Sequence, residues 1–211
     1  MSTTWAPPTI ASVVEGDGEV SALPKLLHRI AAELGVPDVL TPTPMRIPRG
    51  RITTVGGIER GVAAGAVRVR SNGGVLVLLD ADDDCPARYG PLLLARARAA
   101  RPDKPVAVVL ANREFEAWFL AAASSLAGQF GFPADFSRPQ NPELPRDCKG
   151  LLTKARPKGQ PYKETIDQAA LASVFDLKMA REHSDSFDKL YREVARLLGI
   201  DSQSPELTGP T

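Results

Sequence analysis

Closely spaced carboxylates are the clearest chemical signal in this sequence. Four aspartates lie directly after an apolar run, at Asp80, Asp82, Asp83 and Asp84. Crowded acids repel one another, and a chain tolerates them most easily when a cation lies between them. If the chain stays extended, Asp80 and Asp82 project to the same side, because strand residues two apart share a face. The spacing therefore predicts an Asp-x-Asp site for a divalent metal.

Two further pairs of acids also follow apolar runs. Glu15 and Glu19 come after the first run, and Glu114 and Glu116 come after the third. The carboxyl ends of parallel strands share one edge of a sheet, where open α/β folds bind their ligands. Helix starts also attract acids through the helix dipole, and that alternative suits Glu19 and Glu114. We favour Glu116 over Glu114, because Glu116 lies among aromatic residues, where an acid needs a reason to be.

The elements that must position these acids follow from hydrophobic patterning. Short apolar runs rich in branched side chains predict buried strands at residues 9–14, 75–79 and 106–111. Helical periodicity predicts one helix ending near Leu34 and others at residues 91–100, 113–127, 165–181 and 186–198. The alternation predicts an α/β fold with a largely parallel central sheet, flanked by helices, and with the C-terminal helices packed on it.

The connecting segments are less regular. Residues 41–61 are rich in proline, glycine and arginine, which predicts a connector with short pieces of strand. Residues 61–70 fit a helix or a strand equally well. Gly16 and Gly18 are assigned to a tight turn after the first strand, because no Gly-Lys-Ser/Thr follows to make a P-loop.

Length and composition bound the class of protein. The 211 residues favour one domain. We predict a flexible arm over residues 1–8, a single domain over residues 9–198 and a flexible tail over residues 199–211. Within the domain, the core spans residues 9–127, a basic loop region spans 128–161 and the C-terminal helices span 162–198. No apolar run approaches membrane-spanning length and no leader is evident, so a cytoplasmic protein without membrane contact is expected. Cys85 and Cys148 lie too far apart, without further Cys or His at metal spacing, to predict a disulfide or zinc site.

Basic residues are candidates for contacts to phosphate. The predicted nucleic-acid-binding residues are Arg46, Arg49, Arg51, Lys154, Lys158, Tyr162 and Lys163. Such a run is often only a solvated loop, but beside a carboxylate–metal site it would grip backbone phosphates. Lys149 is expected nearer the chemistry, because a lysine beside bound metals can neutralise a transition-state phosphate.

The motifs together resemble a known superfamily. They are the segments 14–19, 78–86 and 112–120, with supporting pieces at 162–163, 167–168 and 186–187. This pattern is similar to the TOPRIM superfamily, the catalytic domain of topoisomerases, bacterial primases and overcoming-lysogenization-defect nucleases. It most resembles the TOPRIM-like family catalogued as domain of unknown function 4276, over about residues 10–198. The resemblance implies a TOPRIM-like Rossmannoid fold.

The resemblance also implies a phosphodiester site that depends on Mg²⁺ or Mn²⁺. Glu15, Asp80 and Asp82 match the superfamily motif, and Glu19 and Glu116 match acids of the closer family. The predicted metal ligands are Glu15, Glu19, Asp80, Asp82, Asp84 and Glu116. The predicted catalytic residues are Glu15, Asp80, Asp82, Glu116 and Lys149.

The leading hypothesis is a metal-dependent nuclease that acts on DNA or RNA. Some relatives resemble effectors of anti-phage defence systems that are encoded beside an ATPase, which makes an ATPase an expected partner. A topoisomerase is disfavoured, since nothing in this chain supplies the domain with the nucleophilic tyrosine. Two alternatives stay open: a non-catalytic or conditionally active subunit of an ATPase complex, and another phosphoryl-transfer enzyme such as a nucleotide hydrolase. The number of metals and the oligomeric state are also left open.

Overall fold

Four parallel strands form the central sheet. A computed structural model describes residues 6–70 and 72–200, so most of the predicted arm (1–5) and tail (201–211) lie outside the described residues. The strands are β1 (Thr9–Val14), β2 (Met45–Arg46), β3 (Gly73–Asp80) and β4 (Val106–Ala111). Their order is β2-β1-β3-β4, and every pair is parallel. The predicted α/β class with a parallel sheet is confirmed, and the topology is Rossmann-like.

Helices cover both faces of this sheet. In the described part of the chain they are α1 (Asp17–Glu33), α2 (Arg49–Ile52), α3 (Gly57–Ala66), α4 (Pro86–Ala100), α5 (Ala117–Ala121), α6 (Cys148–Ala155), α7 (Glu164–Ala172), α8 (Leu177–His183) and α9 (Asp185–Leu197). A short 3-10 helix, Ala123–Leu126, follows α5. No helix in these ranges is long and apolar enough to cross a membrane.

The buried strands supply two cores, one on each face. Strand residues alternate between the faces, so Ile10 and Val14 of β1 join one core while Ala11 and Val13 join the other. The first core lies between the sheet and α1, α5, α7, α8 and α9, which confirms the predicted packing of C-terminal helices. The second lies beneath α3 and α4. Because all four strands are parallel, their carboxyl ends lie at one edge of the sheet.

The predicted helix over residues 113–127 is wrong in its first part. Arg113 has a left-handed backbone, with φ of 66°, and a residue in that conformation interrupts a helix. The Phe115 N–H donates to the Asp80 carboxylate instead of to a helical carbonyl. Helix α5 begins only at Ala117. Glu114 and Glu116 consequently lie on a loop beside the sheet edge.

Other boundaries also differ from the sequence predictions. The single helix predicted over 165–181 is divided into α7 and α8, because Asp176 caps the start of α8 by accepting from the Met179 N–H at 2.7 Å. Helix α4 begins at Pro86 rather than at residue 91, as proline is tolerated in a first turn. The connector over 41–61 contains β2, α2 and the start of α3, and α3 resolves residues 61–66 as helix. The basic loop region 128–161 contains α6.

Candidate active site

The sheet topology places the site between β1 and β3. After β1 the chain forms β2 on one side, and it then returns to form β3 on the other side of β1. In open α/β sheets, ligands bind outside the carboxyl ends of the strands at such a switch point. Glu15 directly follows β1, and Asp80 is the last residue of β3. Glu15 Oε1 accepts a hydrogen bond from the Asp80 N–H at 2.8 Å, which joins the two strand ends.

Asp80 is one of the buried acids at this edge. Its residue is 8% exposed, and its Oδ1 accepts a hydrogen bond from the Phe115 N–H at 2.8 Å. Burial raises the pKa of Asp80 well above its ordinary value, and the charges of Glu116, Glu19 and Glu15 raise it further. Acids that follow the first and third predicted strands therefore raise the pKa of Asp80, which ends the second. We call Glu15, Glu19, Asp80 and Glu116 the acid cluster.

Glu116 is held by a buried polar network. The Tyr162 hydroxyl donates to its Oε1 at 2.8 Å, and Gln168 Nε2 donates to the same oxygen at 3.2 Å. The other oxygen, Oε2, has no hydrogen-bond partner and lies 3.9 Å from Lys149 Nζ. Burial raises the pKa of Glu116 to about 7, although the Lys149 charge opposes the rise. The structure thus brings Glu116 into the cluster, whereas Glu114 accepts from the Lys149 N–H.

Glu19 approaches the cluster from the first turn of α1. Its Oε2 accepts from the Gly16 N–H at 2.7 Å. Burial, followed by the charges of Glu164 and Glu15, raises the pKa of Glu19 to about 7. Because two neighbouring carboxyl groups oppose its ionisation, Glu19 is poised to lose a proton if a cation binds nearby.

Of the two glycines predicted in a tight turn, Gly16 lies in the bend between β1 and α1, with an ordinary φ of −103°, whereas Gly18 lies inside α1. A Cβ atom on Gly18 would overlap the side chains of Gln168 and Glu164, and one on Gly16 would overlap Glu19. Their small size therefore lets α7 approach α1 closely enough for Gln168 to reach Glu116.

The donor set of the acid cluster suits a hard divalent cation. Carboxylate oxygens are the ligands that Mg²⁺ prefers, and buried polar atoms without partners are uncommon in proteins. Glu15 Oε2 and Glu116 Oε2 are both buried without a hydrogen bond. Within residues 6–70 and 72–200, however, no three acidic, His or Cys side chains are close enough to form a ready-made metal site. Coordination by the cluster would therefore require the side chains to draw together.

Asp82 and Asp84 lie at the rim, where they pair with Arg49. The premise that the chain stays extended is wrong, because β3 ends at Asp80 and Asp82 has a φ of 50°. Arg49 Nε lies 3.2 Å from Asp82 Oδ2, and Arg49 Nη2 lies 2.7 Å from Asp84 Oδ2. The same guanidinium donates to the carbonyls of Asp80 and Ala81. Arg49 thus stabilises the turn after β3.

The predicted nucleic-acid-binding residues separate into three groups. Tyr162 is buried in the Glu116 network, and Arg49 is committed to the turn after β3. Arg46 Nε pairs with Asp17 Oδ1 at 3.1 Å. The remaining four side chains are exposed: Arg51, Lys154, Lys158 and Lys163. The structure therefore keeps only part of the predicted set on the surface without an acidic partner close by.

Three residues near the acid cluster were missed in the sequence. Glu164 lies 3.0 Å from Lys149 Nζ, and its charge acts on Glu19. It lies in the first turn of α7, where the helix dipole also favours an acid. Arg113 and Arg146 both contact the turn after β3. No local motif marked these arginines, because their partners lie some 30 to 60 residues away in the chain.

Comparison with known families supports the closer of the two resemblances, the one to domain of unknown function 4276. The model of the family described as a domain of unknown function, DUF4276, matches residues 14–195. The chain belongs to the DUF4276 family. The DUF4276 match includes every member of the acid cluster as well as Lys149, Tyr162 and Gln168. No curated protein and no solved structure matches the chain.

Proposed function

We propose that this DUF4276 protein is a metal-dependent nuclease of the TOPRIM type. The observation that carries the proposal is the acid cluster: Glu15, Glu19 and Glu116 lie near enough to Asp80 for their charges to raise its pKa, beside the switch point of a parallel sheet, and two buried oxygens of the cluster have no hydrogen-bond partner. Structural ion-pair networks satisfy such atoms with cations of the protein, but here Arg49 Nη1 lies 3.9 Å from Glu15 Oε2 and Lys149 Nζ lies 3.9 Å from Glu116 Oε2, both beyond hydrogen-bond distance. A bound divalent cation would satisfy both oxygens.

Each acid has a distinct part in holding that cation. Glu15 and Glu116 would offer their unpartnered Oε2 atoms, while Asp80 would use the oxygen that Phe115 does not engage. Glu19 lies beside them, and Asp82 and Asp84 could join from the rim if Arg49 released them. Mg²⁺ or Mn²⁺ bound here would activate water and neutralise the charge that develops on a phosphodiester.

The surrounding residues would orient the acids and the phosphate. Tyr162 and Gln168 both donate to the Oε1 atom of Glu116, which holds the carboxyl group and its Oε2 atom in one orientation. Lys149 is about one-third exposed. Burial opposes its charge, but Glu116 and Glu164 outweigh burial and raise its pKa, so it stays protonated. Its ammonium would stabilise negative charge on the reacting phosphate.

Nucleic acid is the proposed substrate. The exposed side chains of Arg51, Lys154, Lys158 and Lys163 would contact backbone phosphates, which carry no sequence information. The resemblance to defence nucleases supports a further part of the proposal, that an ATPase controls the protein. We also propose that it works in the cytoplasm.

A cleavage assay with paired variants tests the proposal. The purified chain is incubated with DNA and RNA, single- and double-stranded, in Mg²⁺, Mn²⁺ or EDTA. We expect cleavage in the metals that Asp80→Asn and Glu15→Gln abolish, and that Asp103→Asn, at an exposed acid far from the site, leaves unchanged. Circular dichroism confirms that each variant is folded. Equal cleavage by the wild type and both cluster variants would contradict the site.

Two additional arms separate the alternatives. If the chain alone is inactive and cleavage appears only with the product of a neighbouring ATPase gene, the conditional subunit is supported. A panel of nucleoside triphosphates tests a nucleotide hydrolase, which would release phosphate in Mg²⁺ without cleaving any nucleic acid. In either case, loss of activity in Asp80→Asn would still assign the chemistry to the acid cluster.

A further inference from the structure

Two arginines converge on one exposed carboxylate next to the acid cluster. Arg113 Nη1 lies 2.9 Å from Asp83 Oδ1, and Arg146 Nη2 lies 3.0 Å from the same oxygen. The side chains of Asp83 and Arg146 are 67% and 74% exposed, whereas Arg113 is 24% exposed. These three residues, which we call the Asp83 clamp, line a cavity of about 150 Å³ together with Asp82 and Glu114.

An unusual backbone conformation presents Arg113 to this clamp. Asp82 and Arg113 both have positive φ, at 50° and 66°, which costs energy for residues with a side chain. The two residues hold each other, since the Asp82 N–H donates to the Arg113 carbonyl at 2.9 Å and Arg113 Nη1 donates to the Asp82 carbonyl at 2.9 Å. Among the described residues, Phe130 alone shares this conformation outside glycine. Such strain tends to occur at functional sites.

The clamp adjoins the acid cluster through the chain itself. Asp83 lies three residues after Asp80, and Arg113 lies three residues before Glu116. Both segments leave the carboxyl ends of neighbouring strands, β3 and β4. A phosphate bound by the two arginines would therefore belong to the same substrate strand whose phosphodiester approaches the acids.

A second aspartate in the protein provides a comparison. Asp188 on α9 also pairs with two arginines, since Arg181 Nη2 lies 3.0 Å from Oδ1 and Arg192 Nε lies 2.8 Å from Oδ2. Those residues lie on regular helices, and Arg192 is one helical turn from Asp188. Ordinary helix-surface pairing explains that group. The Asp83 clamp differs by its strained backbone and by its place beside the acid cluster.

We propose that Arg113 and Arg146 bind a backbone phosphate of the nucleic acid, and that Asp83 occupies this phosphate site until the substrate binds. A phosphodiester carries one negative charge, like the carboxylate it would replace, and a guanidinium binds either anion with paired hydrogen bonds. Release of Asp83 into water costs little, because the carboxylate is already largely exposed. The proposal rests on the proposed function in taking a phosphodiester as the ligand.

Binding of a labelled oligonucleotide in EDTA tests the clamp without requiring cleavage. Fluorescence anisotropy is measured for a single-stranded oligodeoxynucleotide and its RNA counterpart over a range of salt concentrations. We expect Asp83→Asn to tighten binding several-fold, because it frees both arginines. Arg146→Gln should weaken binding about fivefold to tenfold and lower the salt dependence, since one phosphate contact is lost. Arg113→Gln should act in the same direction.

Matched variants separate the clamp from general electrostatics. Asp188→Asn changes the net charge as Asp83→Asn does, and Arg192→Gln matches Arg146→Gln. Thermal melting checks that each protein is folded, and Arg146, whose side chain is exposed, keeps the test valid if Arg113→Gln unfolds. Equal effects at the two aspartates, an Arg146→Gln protein that binds like wild type, or no oligonucleotide binding at all would overturn the proposal.

The same measurements distinguish the clamp from the nuclease. If Asp83→Asn tightens binding but no metal supports cleavage, the clamp is supported and the nuclease assignment fails. If the wild type cleaves nucleic acid while the Asp83 and Asp188 variants bind alike, the nuclease assignment holds and the clamp is overturned.

Discussion

The carboxylate of Glu15 accepts a hydrogen bond from the Asp80 N–H across a separation of 65 residues in the chain. This bond joins the ends of β1 and β3 with Oε1 and leaves Oε2 buried without a partner. Burial raises the pKa of Glu15, while the bond from Asp80 and the Arg49 charge oppose the rise. One oxygen of Glu15 therefore stabilises the fold, and the other, 3.9 Å from Arg49 Nη1, makes no hydrogen bond.

Glu15→Gln and Glu15→Ala should separate these two roles. Glutamine keeps an oxygen that can accept from Asp80, so its free energy of unfolding should stay near wild type, whereas alanine leaves a poorly solvated N–H and costs about 1–3 kcal/mol. Both variants should lose the stabilisation that Mn²⁺ gives to wild type. Differential scanning calorimetry with and without Mn²⁺ measures both effects. A glutamine variant that Mn²⁺ still stabilises fully would remove Glu15 from the metal site.

Asp80→Asn should stabilise the protein in EDTA at pH 8. Asparagine preserves an acceptor for the Phe115 N–H but removes a charge that burial and three neighbouring acids disfavour. Since one pKa unit is worth about 1.4 kcal/mol, we expect Tm to rise by roughly 2–8 °C. Asp103→Asn is the control, because the Arg101 hydrogen bond lowers the pKa of that exposed acid to about 2. Its Tm should not rise. An unchanged or lower Tm for Asp80→Asn would show that repulsion in the cluster is small.

The stability of the protein in EDTA should depend on Glu19 and Glu116 between pH 4.5 and 7. Their pKa of about 7 lies above the ordinary value of 4.5. The folded state therefore holds protons that the unfolded state has released, so the stability from these groups is complete below pH 4.5 and is lost as pH rises through 7. Metal affinity should change in the opposite sense, because coordination needs the ionised acids.

Thermal melts from pH 4 to about 9 measure that dependence. The wild type is compared with a Glu19→Gln/Glu116→Gln variant at each pH. Subtracting one Tm from the other removes the contribution of all other groups. We expect this difference in Tm to change across the stated window and to be flat above about pH 8. Titration calorimetry should show Mn²⁺ binding that strengthens from pH 6 to 8. A difference that is constant with pH would contradict the raised pKa values.

Gly18→Ala should disturb the site without replacing any acid. Its Cβ would overlap Gln168 and Glu164, so α7 must move away from α1, at a cost of about 1–3 kcal/mol for overpacking. The displaced Gln168 could no longer donate to Glu116, and Mn²⁺ binding should weaken. Gly50→Ala, on α2 where the added Cβ meets nothing, is the matched control and should change stability by less than about 0.5 kcal/mol. Equal melting temperatures for the two variants would disprove the tight contact.

Local patterning was enough to predict the framework of this protein. The apolar runs at Thr9–Val14 and Val106–Ala111 form strands with those bounds. Because parallel strands present their carboxyl ends at one edge, acids that follow separate strands could be expected to meet there. The division of residues 165–181 by Asp176 was missed, since a capping residue competes with helical periodicity over only one turn.

Apart from Glu116, which its aromatic neighbours favoured over Glu114, only the tertiary structure decided which acids face inward. Asp82 and Asp84 continue the motif of Asp80, yet they pair with Arg49 at the rim, because the left-handed backbone of Asp82 turns the chain out of the strand. Glu116 is buried because Tyr162 and Gln168 reach it from about 50 residues away. Hydrogen bonds over such separations depend on how whole elements pack, so periodicity within a segment cannot predict them. The sequence by itself determined the sheet and its acidic edge, and long-range packing selected the residues that form the site.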